Sequence, residues 1–285
     1  MFAADFDYYR AKTVAEAGSL LKQHPGAKLL AGGHSLIPLL KLRLAAPAAV
    51  IDIGRVAELK GITADSGMVR VGALTTHAEL ASHPVIREYC SALADAAAQV
   101  GDPAVRNRGT IGGNVAHADP ASDLPTVLTA LGARFSVVGP GGSRTIEAAS
   151  FFQGMMATAL GEHDLLVAVE VPSHAGQGMA YVKYVHPASR YAVIGVAAVI
   201  GGTGGKCTRA SVVVGGLVPQ PVRAGAVEKA LVGQALTPDV IANAARQVSQ
   251  DLGGDILGDL YASAEYRRAT APVWVRRALA AAAGT

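Results

Sequence analysis

Two glycine-rich stretches, far apart in the chain, constrain the possible folds more than any other feature. The first is Ala-Gly-Gly-His-Ser at residues 31–35, and the second is Gly-Thr-Ile-Gly-Gly-Asn at residues 109–114. Glycine lets a backbone approach a ligand closely and leaves its N–H groups free to donate to an anion. Two such stretches in one domain, with carboxylates after the second, predict a cradle that holds a dinucleotide diphosphate from two sides.

The first stretch follows the order of strand, turn and helix. Residues 28–31 are predicted to form a short buried strand, and Ser35 to be the N-cap of an apolar helix over residues 36–44. Free amides at such a turn favour a phosphate group. An ordinary strand-to-helix turn would have the same pattern, so this stretch alone leaves both interpretations open.

The second stretch carries three glycines in a short space. Glycine is unfavourable inside a helix or strand, so Gly109, Gly112 and Gly113 predict a loop that bends sharply or meets a ligand. Asp119 and Asp123 follow, before a helix predicted to end near residue 131. These carboxylates could cap that helix, a role that suits Asp119 better, or they could accept hydrogen bonds from ribose hydroxyls.

The two stretches and their flanks carry a family resemblance. The run Leu-Leu-Ala-Gly-Gly-His-Ser-Leu-Ile-Pro at residues 29–38, with Ile-Asp-Ile at 51–53 and Thr-Ile-Gly-Gly-Asn at 110–114, closely resembles the FAD-binding medium subunit of molybdenum hydroxylases. Within that family, the run looks like the carbon monoxide dehydrogenase medium subunits. The resemblance extends from Phe-Asp-Tyr at residues 6–8 to Val-Arg-Arg-Ala-Leu at residues 275–279.

The pattern of apolar residues predicts an α+β protein. Predicted strands cover residues 49–53 and 69–73, and predicted helices cover 14–24, 76–81, 84–100 and 124–131. No Gly-x-Gly-x-x-Gly fingerprint opens a strand and helix, so a Rossmann site is not supported. The resemblance implies an FAD-binding domain of the vanillyl-alcohol-oxidase (PCMH) type, with two subdomains, over residues 1–175.

A second domain is predicted over residues 176–285. Its expected elements are a three-stranded antiparallel sheet (residues 179–185, 191–200 and 208–215) followed by three helices (residues 224–231, 238–251 and 260–283). This smaller α+β unit is similar to the C-terminal domain of carbon monoxide dehydrogenase flavoproteins.

The resemblance also implies roles for individual residues. Contacts to the FAD phosphates and their surroundings are implied for Ala31, Gly32, Gly33, His34, Ser35, Thr110, Ile111, Gly112, Gly113 and Asn114. Asp123 is expected to bind ribose, Leu166 to touch the cofactor, and Lys183 to lie near the polar edge of the flavin ring. The alternatives are a solvent-facing strand position for Lys183 and ordinary packing for Tyr191, which could instead lie against the ring.

Cysteine, histidine and charge content limits the chemistry of the chain. Cys90 and Cys207 are its only cysteines, too few for an iron–sulfur cluster, and its histidines form no zinc-binding motif. The net charge is only +3 and the basic residues are scattered, which argues against a nucleic-acid-binding function. No apolar stretch approaches the length of about 18 residues that a transmembrane helix needs, so we expect no membrane insertion. The N-terminal region carries Asp5 and Asp7 where a signal peptide would have basic residues, so we expect a cytoplasmic location.

The resemblance implies an electron-transfer role within an oxidoreductase. Non-covalent FAD is expected here, with covalent attachment through His34 disfavoured; iron–sulfur clusters and molybdopterin are expected only in a small and a large partner subunit, as a dimer of heterotrimers. Electrons would pass from the iron–sulfur subunit through FAD to an external acceptor, and no catalytic residue is expected. The alternatives are a self-contained flavin oxidase or reductase and a non-catalytic nucleotide-binding assembly component.

Overall fold

The fold contains thirteen α-helices and fourteen strands in the described residues, 2–284, of a computed structural model. The strands are β1 Asp7–Arg10, β2 Lys28–Leu30, β3 Ala49–Asp52, β4 Ile62–Asp65, β5 Met68–Gly72, β6 Arg134–Gly139, β7 Gly142–Glu147, β8 Phe152–Gly154, β9 Ala157–Thr158, β10 Leu165–Pro172, β11 Gly178–Val185, β12 Ala192–Thr203, β13 Lys206–Gly215 and β14 Val222–Arg223. The helices are α1 Val14–Gln23, α2 Leu36–Lys41, α3 His77–Ser82, α4 Pro84–Tyr89, α5 Ser91–Gln99, α6 Pro103–Arg106, α7 Ile111–His117, α8 Asp123–Ala130, α9 Ala148–Phe151, α10 Gly225–Leu231, α11 Pro238–Arg246, α12 Val248–Asp251 and α13 Ala264–Ala283. The predicted mixture of helices and strands is confirmed.

A small parallel sheet begins the chain, with strand order β1-β3-β2. Thr13 caps α1 by accepting a hydrogen bond from the amide of Glu16, and α1 buries Ala17 and Leu21 against Ile51. Burial of this apolar face stabilises the unit by about 25 cal/mol per Å². The first glycine stretch begins at the carboxyl end of β2, which is an edge strand of this sheet.

A five-stranded antiparallel sheet follows, in the order β4-β5-β10-β6-β7. Helices α5, α7 and α8 share its core, where Leu93, Leu128 and Phe135 are fully buried. The register of β10 on β6 shifts between Leu166 and Ala168, which marks a bulge in the central strand.

The third sheet is antiparallel and has four strands, in the order β11-β12-β13-β14. The predicted three-stranded sheet is therefore corrected: β14 has two residues, too few for alternation in the sequence to reveal it. Helix α13 packs on β11 and β12. Its N-cap is Ser263, so it begins at Ala264 rather than at residue 260.

Two long predicted helices are each divided in the structure. The helix predicted over residues 84–100 is broken at Cys90, whose φ of −146° is not helical, and gives α4 and α5. The helix predicted over residues 238–251 is divided at Gln247 into α11 and α12. Apolar periodicity continues across both breaks, which explains why the pattern did not show them. In residues 2–284, no helix has both the length and the apolar content needed to cross a membrane.

Candidate functional site

The first glycine stretch forms the turn between β2 and α2. Gly33 has a φ of 77°, a left-handed conformation in which a residue with a side chain would be strained. Ser35 is at the predicted N-cap position of α2, but its dihedral angles are in the helical region and its side chain makes no capping hydrogen bond. Within residues 2–284, the backbone amides of residues 32–35 have no hydrogen-bond acceptor.

The second glycine stretch was predicted to be a loop, but most of it is the first turn of α7. Thr110 caps this helix, because its Oγ1 accepts a hydrogen bond from the amide of Gly113 at 3.1 Å. A Cβ on Gly112 would lie 2.5 Å from Cβ of Ala73. Glycine is present inside this helix because α7 packs almost directly on the backbone that follows β5.

The two glycine stretches touch each other. A Cβ on Gly32 would lie 2.0 Å from the carbonyl oxygen of Arg108, and a Cβ on Gly113 would lie 3.9 Å from Cβ of Ala31. They form part of the wall of one cavity of about 630 Å³. This volume falls within the usual range of small-molecule sites, about 300–1,000 Å³.

Most residues implicated by the sequence lie in the wall of this cavity. These are Ala31, Gly32, Gly33, His34, Ser35, Thr110, Gly112, Gly113, Asn114, Asp123 and Leu166. Two implicated residues do not line it: Ile111 is fully buried in the core around the second sheet, and Lys183 lies behind the wall. The expected direct contacts of Ile111 and Lys183 with a cofactor therefore have no counterpart in the cavity lining.

Lys183 and Asp123 form a buried ion pair. The Lys183 ammonium donates to Oδ2 of Asp123 at 3.0 Å, and the Tyr181 hydroxyl donates to Oδ1 at 2.5 Å. The Lys183 side chain is 0% exposed, so the solvent-facing alternative for it is wrong. Burial raises the pKa of the Asp123 carboxyl, whereas the ammonium and the hydroxyl bond oppose that rise. Asp123 opens α8, but no side chain caps this helix.

Several further cavity residues were not predicted as site residues, although Tyr191 was considered as a possible contact of the flavin ring. Val100 and Gly101 line the cavity after α5, and Ser189, Arg190 and Tyr191 line it from the turn before β12. Tyr191 remains 43% exposed. No local motif marks these positions, because they reach the cavity only through the packing of β11 and β12 against α5 and α8.

His77 is a further cavity residue that the sequence did not identify. It is 3% exposed at the start of α3, and its Nδ1 has no hydrogen-bond partner among residues 2–284. Burial, followed by the charges of His34 and Arg106, lowers the pKa of His77 from 6.5 to about 4. The imidazole is therefore neutral at physiological pH.

We expect His77 to make the fold less stable in weak acid. The pKa of His77 is lower in the folded than in the unfolded chain, so protons bind preferentially to the unfolded chain and the free energy of unfolding falls as pH drops from 6.5 towards 4. The loss attributable to His77 is at most about 3 kcal/mol. Urea unfolding at a series of pH values measures it. His77→Leu should flatten the curve in this window, and His117→Leu is the control; equal curves for wild type and His77→Leu would contradict the assignment.

Two families match successive parts of the chain. Residues 4–174 match the FAD binding domain in molybdopterin dehydrogenase. Residues 179–282 match the CO dehydrogenase flavoprotein C-terminal domain. In residues 2–284, no group of three or more histidine, cysteine, aspartate or glutamate residues is placed to hold a metal ion.

Relatives and solved structures match over nearly the whole chain. The carbon monoxide dehydrogenase medium chain of Hydrogenophaga pseudoflava is 39% identical over 99% of this chain and 98% of its own length. The nicotine 6-hydroxylase medium subunit of Paenarthrobacter nicotinovorans is 32% identical over 95% of each. A carbon monoxide dehydrogenase structure from H. pseudoflava superposes with a TM-score of 0.95 at 41% identity, covering 99% of this chain and 98% of the other. The crystal structure of quinoline 2-oxidoreductase from Pseudomonas putida 86 superposes with a TM-score of 0.94 at 31% identity, covering 100% of this chain and 99% of the other. This chain belongs to the family of FAD-binding medium subunits of the molybdenum hydroxylases.

Proposed function

We propose that the cavity binds FAD non-covalently, with the diphosphate at the turn of residues 31–35. The observation that carries this proposal is the set of amides at residues 32–35, which have no acceptor within residues 2–284 and lie beside the second glycine stretch. Backbone amides without a hydrogen-bond partner can donate to an anion, and a diphosphate has several oxygens that can accept these hydrogen bonds at once. A side chain at Gly32 would fill the space between the two stretches.

The remaining cavity residues suit the other parts of FAD. Thr110, Gly112, Gly113 and Asn114 are proposed to surround the diphosphate and its neighbouring atoms. Each oxygen of Asp123 accepts one hydrogen bond from the protein and has capacity for a second, so it can accept from a ribose hydroxyl. Leu166, on the bulge of β10, supplies apolar contact.

The domain organisation is proposed along the same lines. Residues 1–175 are proposed to form an FAD-binding domain of the vanillyl-alcohol-oxidase type, whose two subdomains are centred on the first and second sheets. Residues 176–285 are proposed to form the C-terminal domain around the third sheet. The positions of the two family matches, 4–174 and 179–282, support this division.

The proposed role is electron transfer within an oxidoreductase complex. FAD exchanges electrons singly or in pairs, so it can connect one-electron clusters to a two-electron acceptor. This chain would bind and orient the cofactor, and the residues that form the cavity wall would shield it from solvent. The proposed partners are a small iron–sulfur subunit and a large molybdopterin subunit, arranged as a dimer of heterotrimers. Relatives named as a medium chain and as a subunit of a dehydrogenase complex support the presence of partner chains. The cytoplasmic location stays a prediction.

Isolation of the chain with its accompanying subunits tests this function. We expect a yellow protein whose FAD is released by acid denaturation, together with iron, molybdenum and two further chains. Substrate should bleach the flavin only when the partners are present. A colourless preparation that takes up no added FAD would contradict the cofactor assignment. A lone yellow chain that turns over its own substrate would contradict the electron-transfer role.

A further inference from the structure

The ammonium of Lys183 joins three separate elements. It donates to Oδ2 of Asp123 in α8 at 3.0 Å, to the carbonyl oxygen of Gln99 at the end of α5 at 3.0 Å, and to the carbonyl oxygen of Arg190 at 2.8 Å. An ammonium has three protons, so these acceptors use its full donor capacity. None of its protons is left for a ligand in the cavity.

Each of these acceptors lies in or beside the cavity wall. Asp123 lines the cavity, Gln99 precedes the lining residues Val100 and Gly101, and Arg190 itself lines the cavity next to Tyr191. Gln99 and Asp123 belong to the part of the chain that matches the FAD-binding family, whereas Arg190 belongs to the part that matches the C-terminal family. Lys183 thus fastens one wall segment to another across the boundary between these parts.

The Lys183 ammonium contacts the turn of residues 186–191 at the carbonyl oxygen of Arg190. Two backbone bonds close it: the amide of His186 donates to the carbonyl of Tyr191 at 2.9 Å, and the amide of Arg190 donates to the carbonyl of His186 at 2.8 Å. Arg190 has a φ of 61°, a left-handed conformation that is unfavourable for a residue with a side chain. The charged hydrogen bond from Lys183 to the Arg190 carbonyl offsets this strain.

Other contacts hold the two parts of the chain together without Lys183. The amide of Ala192 donates to the carbonyl of Ala121 at 3.0 Å, and the amide of Gly216 donates to the carbonyl of Pro120 at 3.1 Å. Removal of the ammonium therefore leaves the two parts docked. The effect should be confined to the turn of residues 186–191.

We propose that Lys183 is a positioning residue that holds the turn of residues 186–191 closed over the cofactor. It acts through Arg190 and Tyr191 and does not contact the flavin. This inference rests on the proposed function, since it takes the cavity to be the FAD site. The ion pair with Asp123 has no net charge, and a buried Asp123 that loses its partner takes up a proton. Loss of Lys183 therefore leaves the charge near the flavin almost unchanged.

Lys183→Met tests the proposal in the protein isolated with its accompanying subunits. We expect FAD affinity to fall about tenfold or more, because the three charged hydrogen bonds that join the wall segments are lost. Amide hydrogen exchange should become faster at residues 189–191, and the flavin midpoint potential should stay at the wild-type value. Tyr181→Phe is the matched control: it removes one bond to Asp123 and leaves the ammonium in place, so we expect near wild-type affinity and exchange.

A second variant covers the case in which Lys183→Met does not fold. Lys183→Arg keeps a cation beside Asp123, but its planar guanidinium cannot direct N–H groups as a tetrahedral ammonium does. We expect a folded protein with an intermediate loss of FAD affinity and faster exchange at the same amides.

The possible failures are distinguishable. Wild type without any flavin would overturn the proposed function. Wild type with flavin, and variants that bind it equally well with unchanged exchange, would overturn only the positioning role. A shifted midpoint potential at unchanged affinity would also overturn it, because that result indicates direct action of Lys183 on the flavin.

Discussion

Gly32→Ala is expected to weaken FAD binding about 30-fold to 100-fold, because a single methyl group cannot be placed between the two glycine stretches. The added Cβ would lie 2.0 Å from the carbonyl oxygen of Arg108 and 3.0 Å from Cα of Gly109. Both are backbone atoms, so the stretches themselves must separate. Overpacking of this kind costs roughly 1–3 kcal/mol, and we expect the upper part of that range to appear as lost affinity.

Gly18→Ala is the matched control for Gly32→Ala. Gly18 lies inside α1, away from the cavity, and a Cβ there would have no atom within 4 Å. Alanine favours a helix over glycine, so Gly18→Ala should raise the free energy of unfolding by about 0.5–1 kcal/mol and leave FAD affinity unchanged. Titration with FAD, monitored by flavin fluorescence, compares the variants. Wild-type affinity in Gly32→Ala would show that the two stretches do not need their close approach.

Asp123→Leu is expected to lower the free energy of unfolding by about 3–5 kcal/mol, because it leaves the Lys183 ammonium buried without its counter-charge. The Lys183 side chain is 0% exposed and that of Asp123 is 5% exposed, so water cannot replace the lost partner. The Tyr181 hydroxyl loses its acceptor as well. Urea unfolding of the cofactor-free protein measures the change and separates it from any effect on FAD binding.

The double variant Asp123→Leu with Lys183→Met is the control for Asp123→Leu. Replacing both members of a buried ion pair by apolar residues is often nearly neutral, so we expect most of the lost stability to return. The interaction energy from the double-mutant cycle should then be positive and large compared with about 0.5 kcal/mol. A double variant as unstable as Asp123→Leu would show that the carboxylate stabilises the fold through contacts other than the ion pair.

Local signals in the sequence predicted individual elements well where the signal and the structure depend on the same few residues. The helix predicted over residues 14–24 is α1, and its cap at Thr13 is a local interaction. Predictions failed where a distant contact decides the conformation. Gly112 and Gly113 were interpreted as a loop, yet they lie in α7, because the backbone near Ala73 requires a residue without a side chain.

The sequence predicted the part of the candidate site that the two glycine stretches form. It did not predict most of the other residues that line the cavity. Residues 31–35 and most of residues 110–114 line one cavity, as expected for a shared ligand. His77 and Arg190 line it too, but they reach it only through the packing of separate elements. A single histidine or arginine carries no spacing pattern, so the sequence did not place either residue there.

The sequence by itself determined the family, the mixture of helices and strands, and the two backbone segments that could accept a diphosphate, because these depend on residue type and on short spacings. Only the tertiary structure decided that Gly32 touches Arg108 and that Lys183 pairs with Asp123. These contacts join residues distant in the chain, and they form only when burial of apolar surface brings separate sheets and helices together. The cavity follows from that packing.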